Sequence, residues 1–222
     1  MTDEKTIVVD VEDTLMDTRE RTREVWQDLL GRDVILEDAI SLEPVRMIER
    51  YGSKKQRKRI DDLVNEYWDL LLCKEECKFL DKAQEIPSAS DVLKSWKDDY
   101  QIVYVSDLLE PASDELKDKL MNFSLPIRGT DRILVSLEEY QASMDRLVGF
   151  DLVDARRRVM SRISQEYDIV RVIDDHPDYF RVYRDFDIPE RQGFYRPRAF
   201  STEDYLERGA TSVMMDWEEL LD

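Results

Sequence analysis

Residues 6–18 read TIVVDVEDTLMDT. The opening Thr6–Val11 is β-branched and apolar, and the acids Asp10, Glu12 and Asp13 stand at its end. A run this short, with no strict polar alternation, predicts a strand covered on both faces, as in a parallel sheet. Three further runs repeat the pattern. Gln101–Val105 (QIVYV) leads to Ser106 and Asp107, Ile169–Ile173 (IVRVI) to Asp174 and Asp175, and Ser212–Met215 to Asp216. Helical stretches precede them: Ala89–Asp98, Leu152–Tyr167, and Thr202–Arg208 with Gly209 as its stop. Alternating helix and strand predicts an α/β fold with a parallel sheet.

The segment between the first two strands reads almost wholly helical, in Thr18–Leu30, Leu36–Tyr51 and Lys54–Lys82. A crossover between parallel strands needs only about a dozen residues. This one is several times longer, which predicts a small, mostly helical domain of its own inserted over residues 17–85. Residues 1–16 and 86–222 are then the core. Trp26, Tyr67 and Trp68, at helical spacing with Leu and Val, are expected in the core of the insertion. The run KKQRKR, Lys54–Arg59, is read as a solvated helix start, with substrate steering and a partner or polyanion site as the alternatives.

Composition narrows the function classes. The chain of 222 residues carries 33 basic and 51 acidic side chains, a net charge of −18. Such a field repels nucleic-acid phosphate, so no nucleic acid is expected as partner. No apolar run approaches the roughly 20 residues that span a bilayer. The N-terminus lacks a basic segment before its apolar stretch, and the expected compartment is the cytoplasm, with no membrane partner. Cys73 and Cys77 are expected as reduced thiols, since a zinc site needs more ligands and the chain has one histidine.

In open α/β sheets ligands bind beyond the carboxyl ends of the strands. Asp10 with Glu12 and Asp13, Ser106, and Asp174 with Asp175 are therefore expected in one crevice. Several carboxylates together call for a cation, and a hard ion held through oxygens, Mg²⁺, fits. A carboxylate beside it can attack phosphorus, and an acid two residues on can protonate the leaving oxygen and then activate water.

These segments resemble motifs of the haloacid dehalogenase-like superfamily. TIVVDVEDTLMDT is similar to its first motif, a hydrophobic strand followed by DxDxT. The resemblance implies Asp10 as nucleophile, Glu12 as acid/base, Thr14 as the turn-shaping threonine, and Asp17-Thr18 as the start of a helical cap. IPSASDVLKSWKDDYQIVYVSD is similar to the approach to the second motif, with Ser106 and its neighbour Asp107 contacting phosphate. YDIVRVIDDHPDYF is similar to the fourth, with Asp174 and Asp175 joining Asp10 and Glu12 around Mg²⁺. ERGATSVMMDWEELL is similar to the closing strand and helix. The resemblance implies a Rossmann-like parallel sheet core of three layers, with the helical insertion over residues 17–85 as a cap domain. The activity that this resemblance implies is Mg²⁺-dependent phosphohydrolysis of a small phosphorylated metabolite through an aspartyl-phosphate, by a monomer or homodimer.

Two departures stand out. Glu12 replaces the family's usual Asp and adds a methylene, about 1.3–1.5 Å of reach. The third motif's Lys is missing, because no Lys follows Lys119. The cation must come from Arg146 or from Arg156, Arg157 or Arg158, of which at most one or two can face the crevice from a helix. These departures keep open a non-catalytic or weakly active binding or regulatory protein of the same fold. A dehalogenase needs no metal, and the acidic pair argues against it. His176 is read as a loop residue, and Asp178 as a hydrogen-bond acceptor for a metal-bound water.

Overall fold

The computed structural model describes residues 4–74, 77–108, 112–127, 132–135, 152–196 and 200–221. β1 (Lys5–Asp10) enters the core. A short β2 (Met16–Asp17) leads to α1 (Arg19–Leu30), α2 (Leu36–Ser41), α3 (Pro44–Tyr51) and α4 (Ile60–Leu71). The chain returns through β3 (Gln84–Glu85) to α5 (Ala89–Trp96), β4 (Gln101–Ser106), α6 (Ser113–Asn122) and β5 (Arg132–Val135). It ends with α7 (Leu152–Glu166), β6 (Asp168–Asp174), α8 (Tyr179–Asp185), β7 (Glu190–Phe194), α9 (Thr202–Arg208) and β8 (Ser212–Met214).

The six core strands lie in the order β5-β4-β1-β6-β7-β8, and every pairing is parallel. β1 is central, with Asp10 level with Val105 of β4 and Val9 level with Ile173 of β6. Alternate β1 residues serve opposite layers. Ile7 and Val9 pack with Val92 and Leu93 of α5 and Leu116 and Leu120 of α6. Val8 packs with Val159, Met160 and Ile163 of α7 and with Phe180 and Val182 of α8. Burial on both faces is what the unalternated apolar runs require. The chain leaves β1 for β4 and β5 on one side and returns to β6 on the other. The crevice at that reversal lies past the ends of β1, β4 and β6.

The insertion has an apolar cluster of its own, with Val25, Trp26, Met47, Ile48, Leu63 and Tyr67 buried. Trp26 stacks on Tyr67 at 4.2 Å between centroids, with Trp68 edge-on at 5.0 Å. The strands that enter and leave it, β2 and β3, pair antiparallel. The helices are shorter than periodicity alone suggests. Glu43 is extended ahead of Pro44 and divides the second stretch into α2 and α3, because a residue before proline is pushed out of the helical region. The basic run forms an exposed 3₁₀ turn before α4, as expected of a solvated start. α1 closes on Gly31 and α9 on Gly209, both at positive φ.

Candidate active site

The turn after β1 is built by Asp13. It adopts φ 58°, a left-handed conformation that Asp tolerates better than most side chains. Its carboxylate accepts from the Thr18 amide at 3.0 Å and the Thr18 hydroxyl at 2.8 Å. Asp13 thus ties the end of β1 to the head of α1 and fixes where Asp10 and Glu12 point. Thr14 is fully buried. Its carbonyl accepts from the Trp217 indole at 2.9 Å, and its Oγ1 has no hydrogen-bond partner.

Arg156 of α7 is the centre of the site. Its side chain is fully buried. Nη2 lies 2.7 Å from Asp10 Oδ1 and 3.0 Å from Asp107 Oδ1, and Nη1 lies 3.2 Å from Asp174 Oδ2. Of the arginines offered by the sequence, this one takes the cationic position. Arg157 turns away to pair with Asp185, and Arg146 lies outside the described residues. Burial works against the guanidinium's charge, and the Tyr183 hydroxyl with Asp107, Asp174 and Asp10 outweighs it, raising the pKa well above its usual value.

Two tyrosines of α8, one turn apart, hold this cation. The Arg156 guanidinium lies 4.4 Å from the centroid of the Tyr179 ring, and the Tyr179 hydroxyl donates to Asp107 Oδ2 at 2.8 Å. The Tyr183 hydroxyl accepts from Arg156 Nη1 at 3.2 Å and donates to Asp174 Oδ2. Asp174 Oδ1 accepts from the His176 amide at 2.8 Å. Sequence reasoning missed both tyrosines. Their spacing in DDHPDYFRVYRD, on one helical face directly after the acidic pair, is the signal that could have found them.

Asp10, Asp174 and Asp175 each bring a carboxylate oxygen within 4.8 Å of the others. Burial and the neighbouring Asp174 push the Asp10 pKa well above the usual carboxylate range, in spite of Arg156. Asp174 is raised too, chiefly by burial. One guanidinium thus faces Asp10, Asp107 and Asp174, and Asp175 adds a fourth acid to the Asp10 field. The residues fit a hard cation, which would favour the charged form that burial and mutual repulsion disfavour in these acids.

Glu12 does not join that acidic group. Its Oε1 accepts from the Ser106 hydroxyl at 2.8 Å and its Oε2 from the Asp107 amide at 2.8 Å. Ser106 Oγ in turn accepts from the Leu108 amide at 3.1 Å. Burial and the Asp107 charge push the Glu12 pKa up to about 7, against these hydrogen bonds. His176 is half-buried on the Tyr179 ring, 4.7 Å between centroids, and burial lowers its pKa. Asp178 pairs with Arg208 at 3.4 Å. Arg21, buried in α1, donates from Nη2 to the Leu71 carbonyl and to Cys73 Sγ at 3.2 Å. It joins the head of the insertion to its exit, a contact with no signal in the sequence. Cys73 and Cys77 are free thiols.

No protein-family model matches the chain, and no curated protein matches it in sequence. Solved structures match it over nearly its whole length. A haloacid dehalogenase-like family hydrolase from Streptococcus pneumoniae aligns at 15% identity and TM-score 0.61, covering 100% of this chain and 98% of its own. A HAD family hydrolase from Deinococcus radiodurans, solved with bound phosphate and sodium, aligns at 14% identity and TM-score 0.61, covering 97% and 92%. A HAD-superfamily hydrolase of subfamily IA from Geobacter sulfurreducens aligns at 9% identity and TM-score 0.59, covering 99% and 95%. The chain has the fold of these hydrolases. No helix among the described residues is long and apolar enough to cross a membrane.

Proposed function

We propose that the protein is a Mg²⁺-dependent hydrolase of a small phosphomonoester, working through an aspartyl-phosphate on Asp10. The observation that carries this is the convergence of Asp10 and Asp174 on a fully buried Arg156, with Asp175 completing the acidic group, beside two hydrogen-bond donors, Ser106 Oγ and the Asp107 amide. Phosphate bound to the structurally similar Deinococcus hydrolase agrees with the class of ligand.

Arg156 engages Asp10 Oδ1, leaving Oδ2 for attack. Asp10 bonds to phosphorus as the ester P–O bond breaks. Glu12, which burial and the Asp107 charge push up to about 7 before substrate binds, can carry a proton to the departing oxygen. Once deprotonated, the same carboxylate takes a proton from water, which attacks phosphorus and frees Asp10. Ser106 and the Asp107 amide hold phosphoryl oxygens, and Arg156 offsets the charge that builds on them. Mg²⁺, held by Asp10 with Asp174 and Asp175, would supply the further positive charge these acids and a phosphate require.

Residues 17–85 act in this reading as a cap over the site, with its apolar cluster letting it move as a unit and β2 and β3 as its stem. Arg196 lies 2.9 Å from Asp17 at that stem. A phosphatase screen over a metabolite panel, with and without Mg²⁺, tests the reading. Phosphate release that depends on Mg²⁺ is expected for at least one phosphomonoester, and release unaffected by chelation refutes the metal's part. A second reading, an anion-binding protein without turnover, is favoured by one observation, the Glu12 carboxylate lying on the phosphate donors.

A further inference from the structure

The added methylene of Glu12 has a structural use. The Ser106 hydroxyl and the Asp107 amide each donate to a different oxygen of this one carboxylate, both at 2.8 Å. That is the bidentate grip that an anion's two oxygens receive from convergent donors. An Asp at the same backbone position is shorter by about 1.5 Å. It would sit beyond hydrogen-bond distance of both donors without a shift of the main chain. The main chain has little freedom to shift. Asp13 is fixed by its two bonds to Thr18, the Val11 amide donates to the Val105 carbonyl at 3.0 Å, and the Leu15 and Met16 amides both donate to the Val11 carbonyl.

We infer that Glu12 is a latch whose carboxylate competes with a substrate phosphoryl group for the Ser106 and Asp107 donors, so that phosphate binds only as Glu12 turns out of the cradle. The inference rests on the phosphohydrolase reading and adds to it an occupant of the phosphate site supplied by the chain itself. It also accounts for the second reading. A carboxylate on the donors is the closed position of an acid/base residue, and the movement that admits phosphate frees the same carboxylate for the leaving oxygen. No covalent bond is made or broken in the latch step, which is a change of side-chain torsion that gives up two hydrogen bonds.

The expected effect comes from competition. A ligand whose site is open only a fraction of the time binds more weakly by that fraction. Hydrogen bonds to a charged group are strong enough to hold the latch shut by about 10- to 100-fold. Shortening the side chain should return that factor to phosphate.

The test is calorimetric binding of inorganic phosphate, with Mg²⁺ at a fixed concentration, to wild type, Glu12→Asp and Glu12→Gln. Thermal melts of each variant establish that it is folded. Glu12→Asp keeps the charge and loses the reach, and should bind phosphate about 10- to 100-fold more tightly than wild type. Glu12→Gln keeps the length and loses the charge and one acceptor, and should tighten binding less than Asp does. Adding Ser106→Ala to Glu12→Asp should abolish the gain, which places it at the cradle. If Glu12→Asp binds like wild type while Glu12→Gln binds more tightly, plain charge repulsion explains the gain and the latch is refuted. Measurable binding to wild type that neither substitution alters refutes the latch and leaves the phosphohydrolase reading in place. No phosphate binding to any of the proteins, at millimolar concentrations and with Mg²⁺ present, overturns both.

Discussion

Replacing Arg156 by Met removes the cation around which the site is built while keeping much of the side chain's bulk. In the wild type the guanidinium lies within 3.2 Å of Asp10, Asp107 and Asp174, and its side chain has no solvent exposure. Breaking a buried ion pair from one side destabilises by about 3–5 kcal/mol, because the partner charge stays behind. Three carboxylates stay behind here, but they have an escape. Asp10 and Asp174 already have raised pKa values, and protonation relieves them further. The loss should therefore depend on pH. At pH 8, where protonation is least available, Arg156→Met should lower stability by about 3–5 kcal/mol. For a chain of this size that is a fall in Tm of roughly 6–20 °C. At pH 5 the fall should shrink to a fraction of that. Arg156→Lys keeps the charge, loses the fork and the stacking on Tyr179, and should fall between the two. Differential scanning calorimetry at both pH values measures this. An equal loss at pH 5 and pH 8 would mean that Arg156 acts by packing alone, and an unchanged Tm at pH 8 would refute its role as the site's counter-charge.

The same geometry sets three other expectations. In an active preparation, Asp10→Asn should abolish phosphate release from an aryl phosphate, and Glu12→Gln should cut turnover on an alkyl phosphate by roughly 10²–10⁴; steady-state assays with Mg²⁺ check both. The Glu12 pKa of about 7 against 4.5 for an ordinary Glu means that the native state binds the extra proton between those values. Stability without Mg²⁺ should then fall as pH rises from 4.5 to 7, on the order of 3 kcal/mol from this group; Glu12→Gln should flatten the slope in urea titrations across that range. Tyr183→Phe removes the hydroxyl that accepts from Arg156 and donates to Asp174, and should lower Tm by at least the roughly 3–12 °C that one buried hydrogen bond to a charged group is worth; a melt unchanged within a degree would show that the hydroxyl carries no share of the site's stability.

The central strands were readable in the sequence because β1 and β4 are covered on both faces and β6 is buried over its second half, which demands mostly apolar runs. β1, β4 and β6 fall within a residue of their expected limits at most ends. β7 was not readable, because ERQGF places charged and polar residues where the sheet is only partly covered. The helical insertion was recognisable from its length and periodicity, whereas its division into short helices depends on backbone events at Glu43 and on 3₁₀ turns that periodicity does not report. Asp10, Ser106, Asp174 and Asp175 could be placed at one sheet edge from the sequence because strand ends converge by topology. Arg156 could be narrowed only to a group of arginines, since which face of α7 meets the sheet is decided by packing. The Glu12 contact was beyond a sequence reading, which registers the extra methylene but not the donors it reaches. Tyr179 and Tyr183 belong to the same class, as partners chosen by a helix docking in three dimensions.

Phosphorylation of Asp10 is the step on which the proposed function rests, and it can be measured in Glu12→Gln. p-Nitrophenyl phosphate carries a leaving group that departs without a protonating acid, so the first step should survive in this variant. The second step should slow, because no carboxylate remains at position 12 to activate water. Rapid acid quench of Glu12→Gln with this substrate and Mg²⁺, followed by peptide mass spectrometry, should show one phosphoryl group, located on Asp10, and none without Mg²⁺. Phosphate release by the wild type with no phosphoryl group on Asp10 in the variant, and with Asp10→Asn still active, would contradict the account.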